Sequence, residues 1–345
     1  MAVHPQVVCF GEALVDRLGP PGGDPALAAL DQLEDHLGGA PANVACALAR
    51  LGTPVAFVGR LGRDRIGQAF AELFQRRGVD LKALQWDGRR PTRIVLVRRD
   101  PSGDRQFGGF AGDLGDGFAD QAIEAEPLAR ELAALARPSQ PRWLLVGTIP
   151  LASATAAAAL ERCLAWAEAA GVALAVDVNW RPTFWDPVAP PEAPPSAAQA
   201  ERIRPLLQRA ALIKCAAEEA EWLFGSPEPA AVREALPQHP AVVVTDGDRP
   251  LRWCLGPACG AQPSFPVDVI DTTGAGDSFT AGLLHRLCGR PALLGGADPL
   301  AVAELMRFGS ACGALVCQGA GAIDPQPSEA AVDAFLAAAS GPPGV

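Results

Sequence analysis

The sequence lacks the features that would place it in several common protein classes. Its nine cysteines form no Cys-x-x-Cys pair and its four histidines have no His-Glu-x-x-His spacing, so no zinc site is predicted. It has no run of 18 uncharged apolar residues, and no basic segment precedes the first apolar run. We therefore expect a cytoplasmic protein, without membrane contact, whose cysteines are buried thiols rather than disulfides.

Positive charge is also scarce. The chain has 39 acidic and 29 basic residues, a net charge of −10, and no cluster of five or more lysines and arginines. This balance argues against a nucleic-acid surface. No Gly-x-Gly-x-x-Gly follows the first predicted strand, which disfavours a dinucleotide-binding oxidoreductase. An anionic ligand must therefore be held by local features.

Apolar residues make up 49% of the 345 residues, which is enough for a large core. Short apolar or β-branched runs alternate with longer Ala/Leu-rich runs, a pattern that predicts a three-layer α/β/α doubly wound, mostly parallel sheet. The predicted strands are Val7–Phe10, Val55–Val58, Trp143–Val146, Ala173–Val178, Leu212–Lys214 and Val242–Thr245. The predicted helices include Ala42–Arg50, Ile66–Arg77 ended by Gly78, and Ala154–Ala170 ended by Gly171. In such sheets ligands bind beyond the carboxyl ends of the strands.

Other segments depart from this alternation. Leu14–Leu18 and Arg93–Arg99, the latter followed by 103–107, are predicted as hairpin-like strands without an intervening helix. The Pro-rich run Pro187–Pro195 is predicted as a surface loop without catalytic weight. Residues 341–345 are predicted to be a disordered tail.

The run from Asp271 to Asp277, Asp-Thr-Thr-Gly-Ala-Gly-Asp, precedes an apolar stretch and is the most informative motif. Gly274, Ala275 and Gly276 leave backbone N–H groups free to face an anion, and the helix that follows adds its positive dipole end. Asp277 is placed to accept a proton from a hydroxyl that attacks a bound phosphate. The alternative is a tight strand-to-helix turn with an N-cap Asp.

A second motif, the run from Gly38 to Ala45, places two glycines and a proline before a helix that carries Asn43. Close backbone approach beside an amide side chain suits a polyhydroxylated ligand. The alternative for Asn43 is a helix-start residue that satisfies its own turn.

Together these motifs resemble the two signature regions of the ribokinase family, also called the pfkB carbohydrate kinases. Residues 59–67 and the run 177–182, similar to the Asp-Pro-Asn-x-Arg-Pro of fructokinases, lie where that family has related segments. The resemblance covers nearly the whole chain. It implies one kinase domain over 1–340, with segments 12–37 and 89–112 forming a small β-sheet lid that closes over the sugar, excludes water and mediates a homodimer. The alternative is an exposed hairpin without function.

The resemblance also implies roles for individual residues. Asp277 is the general base, and the backbone of Gly274, Ala275, Gly276 and Asp277 forms the anion hole. Arg181 is a movable cation near the γ-phosphate, or otherwise a surface ion-pair partner. The residues implied to bind the sugar are Asp16, Gly38, Gly39, Asn43 and Arg105.

Further residues are implied to bind Mg-ATP and cations. The ATP set is Thr245, Gly247, Gly276, Ser310 and Asn179. Glu219 is implied to support the Mg2+ shell, and Asp271 and Thr273, with the 316–321 turn, to hold a monovalent cation such as K+ that fixes the anion hole. The chain departs from the family at Ala216, where Asn or Ser is expected, and at Pro250, which replaces a common Gly.

The acceptor implied by the resemblance is a primary hydroxyl of fructose. Gly147-Thr148-Ile149 is similar to the Gly-Ser-Ile of fructokinases, and Gly11-Glu12 and the Asn179-x-Arg181-Pro182 run favour the same group. The alternatives are 2-keto-3-deoxygluconate, ribose, another hexose or a nucleoside. The departures at Ala216 and Pro250 motivate a further alternative, a weakly active kinase-fold protein with a binding or regulatory role.

Overall fold

The computed structural model describes residues 4–99, 105–136 and 139–339. The strands of the described residues are β1 Val7–Phe10, β2 Leu14–Pro21, β3 Glu34–Gly38, β4 Val55–Gly62, β5 Leu84–Asp87, β6 Ile94–Arg99, β7 Arg105–Ala111, β8 Trp143–Val146, β9 Ala173–Asp177, β10 Leu212–Ala216, β11 Ala241–Asp246, β12 Arg249–Leu255 and β13 Ala258–Gln262. The helices are α1 Ala40–Arg50, α2 Arg65–Arg77, α3 Ala125–Leu135, α4 Ala154–Ala170, α5 Pro182–Trp185, α6 Ala197–Leu207, α7 Ala217–Phe224, α8 Pro229–Glu234, α9 Ala275–Gly289, α10 Pro299–Val316 and α11 Glu329–Ala338.

Nine strands form one sheet in the order β13-β12-β11-β10-β9-β8-β1-β4-β5. The pairs from β11 across to β5 are parallel, and β12 and β13 extend the sheet as an antiparallel hairpin. Alternate residues of β1 enter two separate cores: Val7 and Cys9 pack on one face, Val8 and Phe10 on the other. Helices cover both faces, because both faces of this parallel sheet are apolar. This architecture confirms the predicted fold class.

The local signals for helix ends were reliable. Gly78 and Gly171 end α2 and α4 in the left-handed conformation, with φ of 79° and 67°. That conformation strains a residue with a Cβ, which is why glycine predicts such ends. β4 runs four residues beyond the predicted Val55–Val58, because β5 pairs with its far half.

The β12–β13 hairpin was not predicted, and it corrects the expectation for the cysteines. Cys254 and Cys259 are directly opposed in its register, with Cα atoms 4.1 Å apart, and form a disulfide. Their separation of five residues matches no thiol motif, so only the strand register reveals the pair. The other seven cysteines are free thiols, and six of them are buried, as the sequence predicted.

A second sheet of four strands, in the order β3-β2-β6-β7, contains residues of both predicted lid segments. The central strands β2 and β6 are parallel, so the two segments associate through the middle of this sheet rather than through a hairpin. β3 was not predicted as a strand, because the run 34–38 is polar and its pairing with β2 is set by tertiary context. We call this four-stranded sheet the lid.

Among the described residues, α10 is long and apolar enough to cross a membrane, with a mean hydropathy of 1.3 and 56% of the span buried. Its buried side packs on α9 at very short range. A Cβ on Gly282 of α9 would lie 2.8 Å from the Cys312 Sγ and 3.1 Å from the Gly309 Cα of α10. The apolar character of α10 is therefore explained by core packing, which also anchors the helix that carries Asp277.

Candidate active site

Two cavities open beside the start of α9. The first has a volume of about 520 Å³ and is lined by residues of the main sheet, α1, α9 and the lid. The second has a volume of about 420 Å³ and is lined by the β11–β12 turn, the start of α9 and α10. Thr272 and Gly276 line both cavities. The predicted anion hole therefore lies between two adjoining binding spaces.

The turn before α9 requires glycine at Gly274. This residue has a φ of 79°, and a Cβ there would lie 2.6 Å from the Cβ of Ala322. The bond from Ser278 N to the Gly274 carbonyl begins the helix, so the Gly276 and Asp277 N–H groups precede it and belong to the open end. The Ala275 N–H donates to the Thr272 carbonyl at 3.2 Å. Of the N–H groups predicted to form the anion hole, those of Gly276 and Asp277 therefore have no acceptor among the described residues.

Asp277 combines burial with a defined hydrogen bond. Its Oδ2 accepts from Asn43 Nδ2 at 2.8 Å, which links the two signature motifs across 234 residues of sequence. Burial, and then the nearby Asp177 charge, raise the Asp277 pKa from 3.8 to about 6, while Asn43, Lys214 and Arg181 oppose the rise. A carboxylate with this pKa is still largely ionised at neutral pH and can accept a proton efficiently.

The first turn of α1 presents Asn43 to the same cavity. Gly39 precedes the helix with a φ of 99°, and a Cβ there would lie 2.8 Å from the Glu12 carbonyl oxygen. Asn43 is 4% exposed, and its Oδ1 is buried without a hydrogen-bond partner among the described residues. Glu12 Oε2 is likewise buried without a hydrogen-bond partner among the described residues, and burial raises the Glu12 pKa to about 8. Both atoms therefore leave hydrogen-bonding capacity for a polar ligand.

The lid supplies the opposite wall of the first cavity. Asp16 on β2 lines it, and its Oδ2 lies 3.2 Å from the position of a Cβ on Gly38, so Asp16 and Gly38 are neighbours. The remaining lid residues in this wall are Leu14, Val95, Val97, Gln106 and Phe107. Arg105 begins β7, but its side chain lies outside the described residues.

Two charged residues that the sequence interpretation did not assign lie close to the predicted anion hole. Lys214 Nζ lies 3.1 Å from Asp177 Oδ1, and Asp177 Oδ2 lies 3.0 Å from Thr280 Oγ1 on α9. Lys214 and Asp177 are opposed in the register of β10 and β9. The sequence does contain a signal for this pair, because a charged residue lies at the carboxyl end of each of two buried strands.

The residues after β9 also reach the first cavity. Asn179 has a φ of 41° and lines this cavity, although the sequence interpretation placed it with ATP. Arg181 lines the cavity with an exposed side chain, and its Nη1 donates to the Trp180 carbonyl at 2.9 Å. Pro191 lines it too, and Trp180 Nε1 donates to the Ala193 carbonyl at 2.8 Å. The Pro-rich loop is largely exposed, as predicted, and Pro191 also brings it to the wall of this cavity, while its lack of catalytic weight stays a prediction.

Glu219 is only 6% exposed, and backbone groups engage both of its carboxylate oxygens. Oε1 accepts from Trp180 N at 2.6 Å and Oε2 accepts from Ala216 N at 2.7 Å. The carboxylate thus joins the turn after β9 to the start of α7. The bond to the Ala216 N–H caps the start of α7 in place of the side chain that the family pattern expects at this position. Any role of Glu219 in a magnesium shell stays a prediction.

The second cavity brings together four of the five residues predicted for the nucleotide, all except Asn179. Thr245, Gly247 and Ser310 all line it, as does Gly276. Gly247 has a φ of 60° in the turn between β11 and β12, a conformation that favours glycine. Pro250 follows this turn and is exposed in β12.

Asp271 forms a junction between two loops. Its Oδ1 accepts from Thr273 N at 3.0 Å and from Thr273 Oγ1 at 2.7 Å, and its Oδ2 accepts from Gly321 N at 2.7 Å. The carboxylate is 8% exposed, so it offers a buried negative charge where the monovalent cation is predicted. Carboxylate and hydroxyl oxygens are ligands that suit a hard cation. A cation bound here would strengthen the connection that Asp271 already makes between the two loops.

Known proteins share both the sequence and the fold. The model for the pfkB family carbohydrate kinases matches residues 4–329. Fructokinase-1 from Zea mays is 34% identical over 330 residues, which cover 94% of this chain and 96% of that protein. The structure of fructokinase with bound ATP from Xylella fastidiosa has a TM-score of 0.80 at 28% identity, covering 97% of this chain and 99% of that one.

A second solved structure shows a similar agreement. Fructokinase from Vibrio cholerae O395, in a form with bound fructose, ADP and calcium ion, has a TM-score of 0.77 at 26% identity, covering 96% of this chain and 99% of that one. The match therefore extends across both sheets and both cavities, and the chain belongs to the pfkB family of carbohydrate kinases.

Proposed function

We propose that this sugar kinase transfers the γ-phosphoryl group of Mg-ATP to a primary hydroxyl of fructose. The observation that carries the proposal is the position of Gly276, which lines both cavities beside Asp277. A phosphoryl group held over Gly276 would face a nucleotide on one side and a sugar on the other. Phosphoryl transfer needs this in-line arrangement more than covalent participation by the protein.

The reaction follows from the residues around that point. Asp277 accepts the proton of the attacking hydroxyl, whose oxygen bonds to the γ-phosphorus as the bond between that phosphorus and the β–γ bridging oxygen breaks. ADP leaves with the electron pair of the broken bond. The Gly276 and Asp277 N–H groups and the α9 dipole favour the charge on the transferring oxygens. Magnesium enters with the nucleotide as part of the substrate and neutralises its phosphates.

The lid has a role in this chemistry because water would compete with the sugar hydroxyl. Arg93 connects it to the main domain: its Nε lies 2.9 Å from Asp120 Oδ2 in a buried ion pair. Its guanidinium also lies 4.9 Å from the Phe110 ring of the lid and 4.6 Å from the Phe184 ring of α5. These contacts support a lid whose position is coupled to the α5 wall of the first cavity.

Fructose is favoured over other acceptors by the names of the relatives and by the local motifs. The Zea mays protein and the two bacterial structures are all named fructokinases, and one of them holds fructose and ADP. Ile149, of the Gly147–Ile149 run that resembles fructokinases, lines the first cavity. Potassium at Asp271 and a homodimer through the lid stay predictions of the same resemblance, and a cytoplasmic location stays a prediction from the sequence features.

The test is ADP release by the purified protein with Mg-ATP and potassium across fructose, ribose, 2-keto-3-deoxygluconate, glucose and adenosine. We expect the highest kcat/KM with fructose, and loss of fructose-dependent ADP release in Asp277→Asn. A higher kcat/KM with another acceptor would overturn the assignment of fructose. Absence of turnover with every acceptor, alongside measurable ATP binding, would instead favour a binding or regulatory protein.

A further inference from the structure

Lys214 has no assigned role in the proposed reaction of Asp277 and the anion hole. It lies near the carboxyl end of β10, its side chain is 12% exposed, and it lines the first cavity. A Cβ built on Gly276 would lie 3.0 Å from Lys214 Nζ, so the ammonium group faces the glycine shared by the two cavities. A phosphoryl group over Gly276 would therefore be next to a fixed positive charge.

The surrounding charges make such a cation necessary. Asp177, Glu219 and Asp277 all act on Lys214, whereas Glu12, whose pKa is raised to about 8, is largely protonated at neutral pH. Burial lowers the Lys214 pKa, but the attraction of the first three carboxylates outweighs it, and the pKa is raised above its usual value. Lys214 is thus charged at neutral pH. A polyanionic nucleotide brought beside these carboxylates would otherwise meet strong repulsion.

Lys214 is held in place, whereas the other cation of this region is exposed. Asp177 accepts from its ammonium group at 3.1 Å and is itself positioned by Thr280 of α9. Thr280 Oγ1 also lies 3.0 Å from the Gly276 carbonyl oxygen, which ties the network to the anion hole. Arg181, by contrast, contacts the carbonyl of its own neighbour Trp180. A preorganised charge stabilises a transition state without reorganising during the reaction.

The composition of the chain points to the same residue. Lys82 and Lys214 are the only two lysines among the 29 basic residues. Lys82 is a surface residue paired with Asp80 at 2.8 Å, with 64% of its side chain exposed. A chain that uses arginine almost everywhere else has lysine at the buried position beside the proposed anion hole. Lysine supplies a compact point charge with rotatable donors, whereas arginine presents a rigid planar fork.

We propose that Lys214 is a catalytic cation of this enzyme, whose ammonium group binds the transferring phosphoryl group on the sugar side of Gly276 and favours the ionised form of Asp277. This inference rests on the proposed kinase function. It assigns Asp177 and Thr280 as positioning residues that hold the ammonium group in line with the anion hole.

The kinetic test compares Lys214→Met, which removes the charge at similar length, with Lys214→Arg and the surface control Lys82→Met. We expect Lys214→Met to lower kcat by about 10²-fold to 10³-fold, the usual effect of removing one preorganised donor, with the fructose KM changed less than about threefold. Lys214→Arg should recover part of the loss, and Lys82→Met should match the wild type. A Lys214→Met variant with wild-type kcat would overturn the proposal.

The pH profile separates a catalytic charge from a merely structural one. Asp277 is affected by Asp177, Asn43, Lys214 and Arg181, with Glu12 nearby, and Lys214 lowers its pKa. Loss of the Lys214 charge should therefore move the acidic limb of kcat/KM to higher pH in Lys214→Met, but not in Lys214→Arg. An unmoved limb in Lys214→Met would contradict the second part of the proposal.

A spectroscopic test avoids the question of whether a variant folds. Protein labelled with ¹³C-lysine should give side-chain ¹H–¹³C signals from two residues, which Lys82→Arg assigns. Addition of Mg-ADP, aluminium fluoride and fructose to the otherwise unaltered chain should shift the Lys214 signal and raise its pKa, leaving Lys82 unchanged. An unshifted Lys214 signal in a protein that phosphorylates fructose would overturn this inference alone. A protein that phosphorylates no acceptor would overturn the proposed function itself.

Discussion

The two cavities differ in the polarity of the groups that line them. The first contains buried polar atoms without partners among the described residues, notably Asn43 Oδ1 and Glu12 Oε2, and several carboxylates. The second is lined mainly by glycine and apolar side chains, with hydroxyl groups such as those of Thr245 and Ser310 and with the charged residues Asp246, Asp248 and Arg249 around the β11–β12 turn. A buried polar group left unpaired carries a large free-energy penalty, whereas apolar surface discriminates weakly. Selectivity should therefore reside in the first cavity, and the second should tolerate change.

The largest effect should come from the base at the floor of the first cavity. We expect Asp277→Asn to lower kcat by about 10²-fold to 10⁴-fold, the usual range for removal of a general base. The thermal midpoint should not fall, because burial already disfavours the charged form of this carboxylate, as its raised pKa indicates. Steady-state kinetics and thermal unfolding measure both. The control is Asp333→Asn, whose side chain is 57% exposed, and a kcat within tenfold of wild type would exclude Asp277 as the base.

The next effect should come from Asn43, which contacts the base. Asn43→Ala removes a 2.8 Å hydrogen bond to Asp277 and a buried acceptor for the sugar. Hydrogen bonds to charged groups contribute roughly 1.5–3 kcal/mol, so kcat/KM for fructose should fall by about 10²-fold. The KM for ATP, read in the same assays, should change little because Asn43 is absent from the second cavity. An equal loss of kcat/KM for fructose and for ATP would contradict the proposal that the two cavities bind different substrates.

An intermediate effect is expected from pH. The Asp277 pKa is raised from 3.8 to about 6, and only the ionised carboxylate accepts a proton. Activity should therefore be nearly complete at pH 7 and fall as the pH drops through 6, reaching about one tenth at pH 5. The measurement is kcat/KM for fructose at saturating Mg-ATP over this range. A flat profile would mean that the base titrates elsewhere.

The smallest effect should follow a change at the start of α7. Ala216→Asn restores the side chain that the family pattern expects, but Glu219 already accepts from the Ala216 N–H and joins the neighbouring turn. We expect kcat and the KM for ATP to change less than about threefold, as for a substitution that disturbs no buried network. A gain of tenfold or more in turnover would show that the natural chain is limited at this position.

Local signals in the sequence were sufficient for the fold class and for the turn before α9. Glycine at helix ends, apolar alternation and the order of the motifs depend on neighbouring residues, so they can be interpreted without the tertiary structure. The polar strand β3 and the β12–β13 hairpin gave no such signal, because pairing with their neighbours defines them.

The site was predictable to a similar extent. The motifs predicted that Asn43 and Asp277 lie in one region, but they did not predict the hydrogen bond between these two residues. Lys214 escaped assignment because its importance comes from a three-dimensional neighbour, the Gly276 backbone, far away in sequence. The Pro-rich loop is largely exposed, as its composition predicted, but composition gave no sign of the bond from Trp180 to Ala193 that holds the loop against the cavity.

The lid wall of the first cavity has a practical consequence for enzyme engineering. Val95, Val97 and Phe107 belong to the lid and have apolar side chains, while Asp277 and its supports belong to the main domain. Saturation mutagenesis at these three positions would therefore vary the shape offered to an incoming sugar while the groups that move the proton and the phosphoryl group stay fixed. Libraries confined to these codons are the natural starting point for evolving the enzyme toward other sugar acceptors.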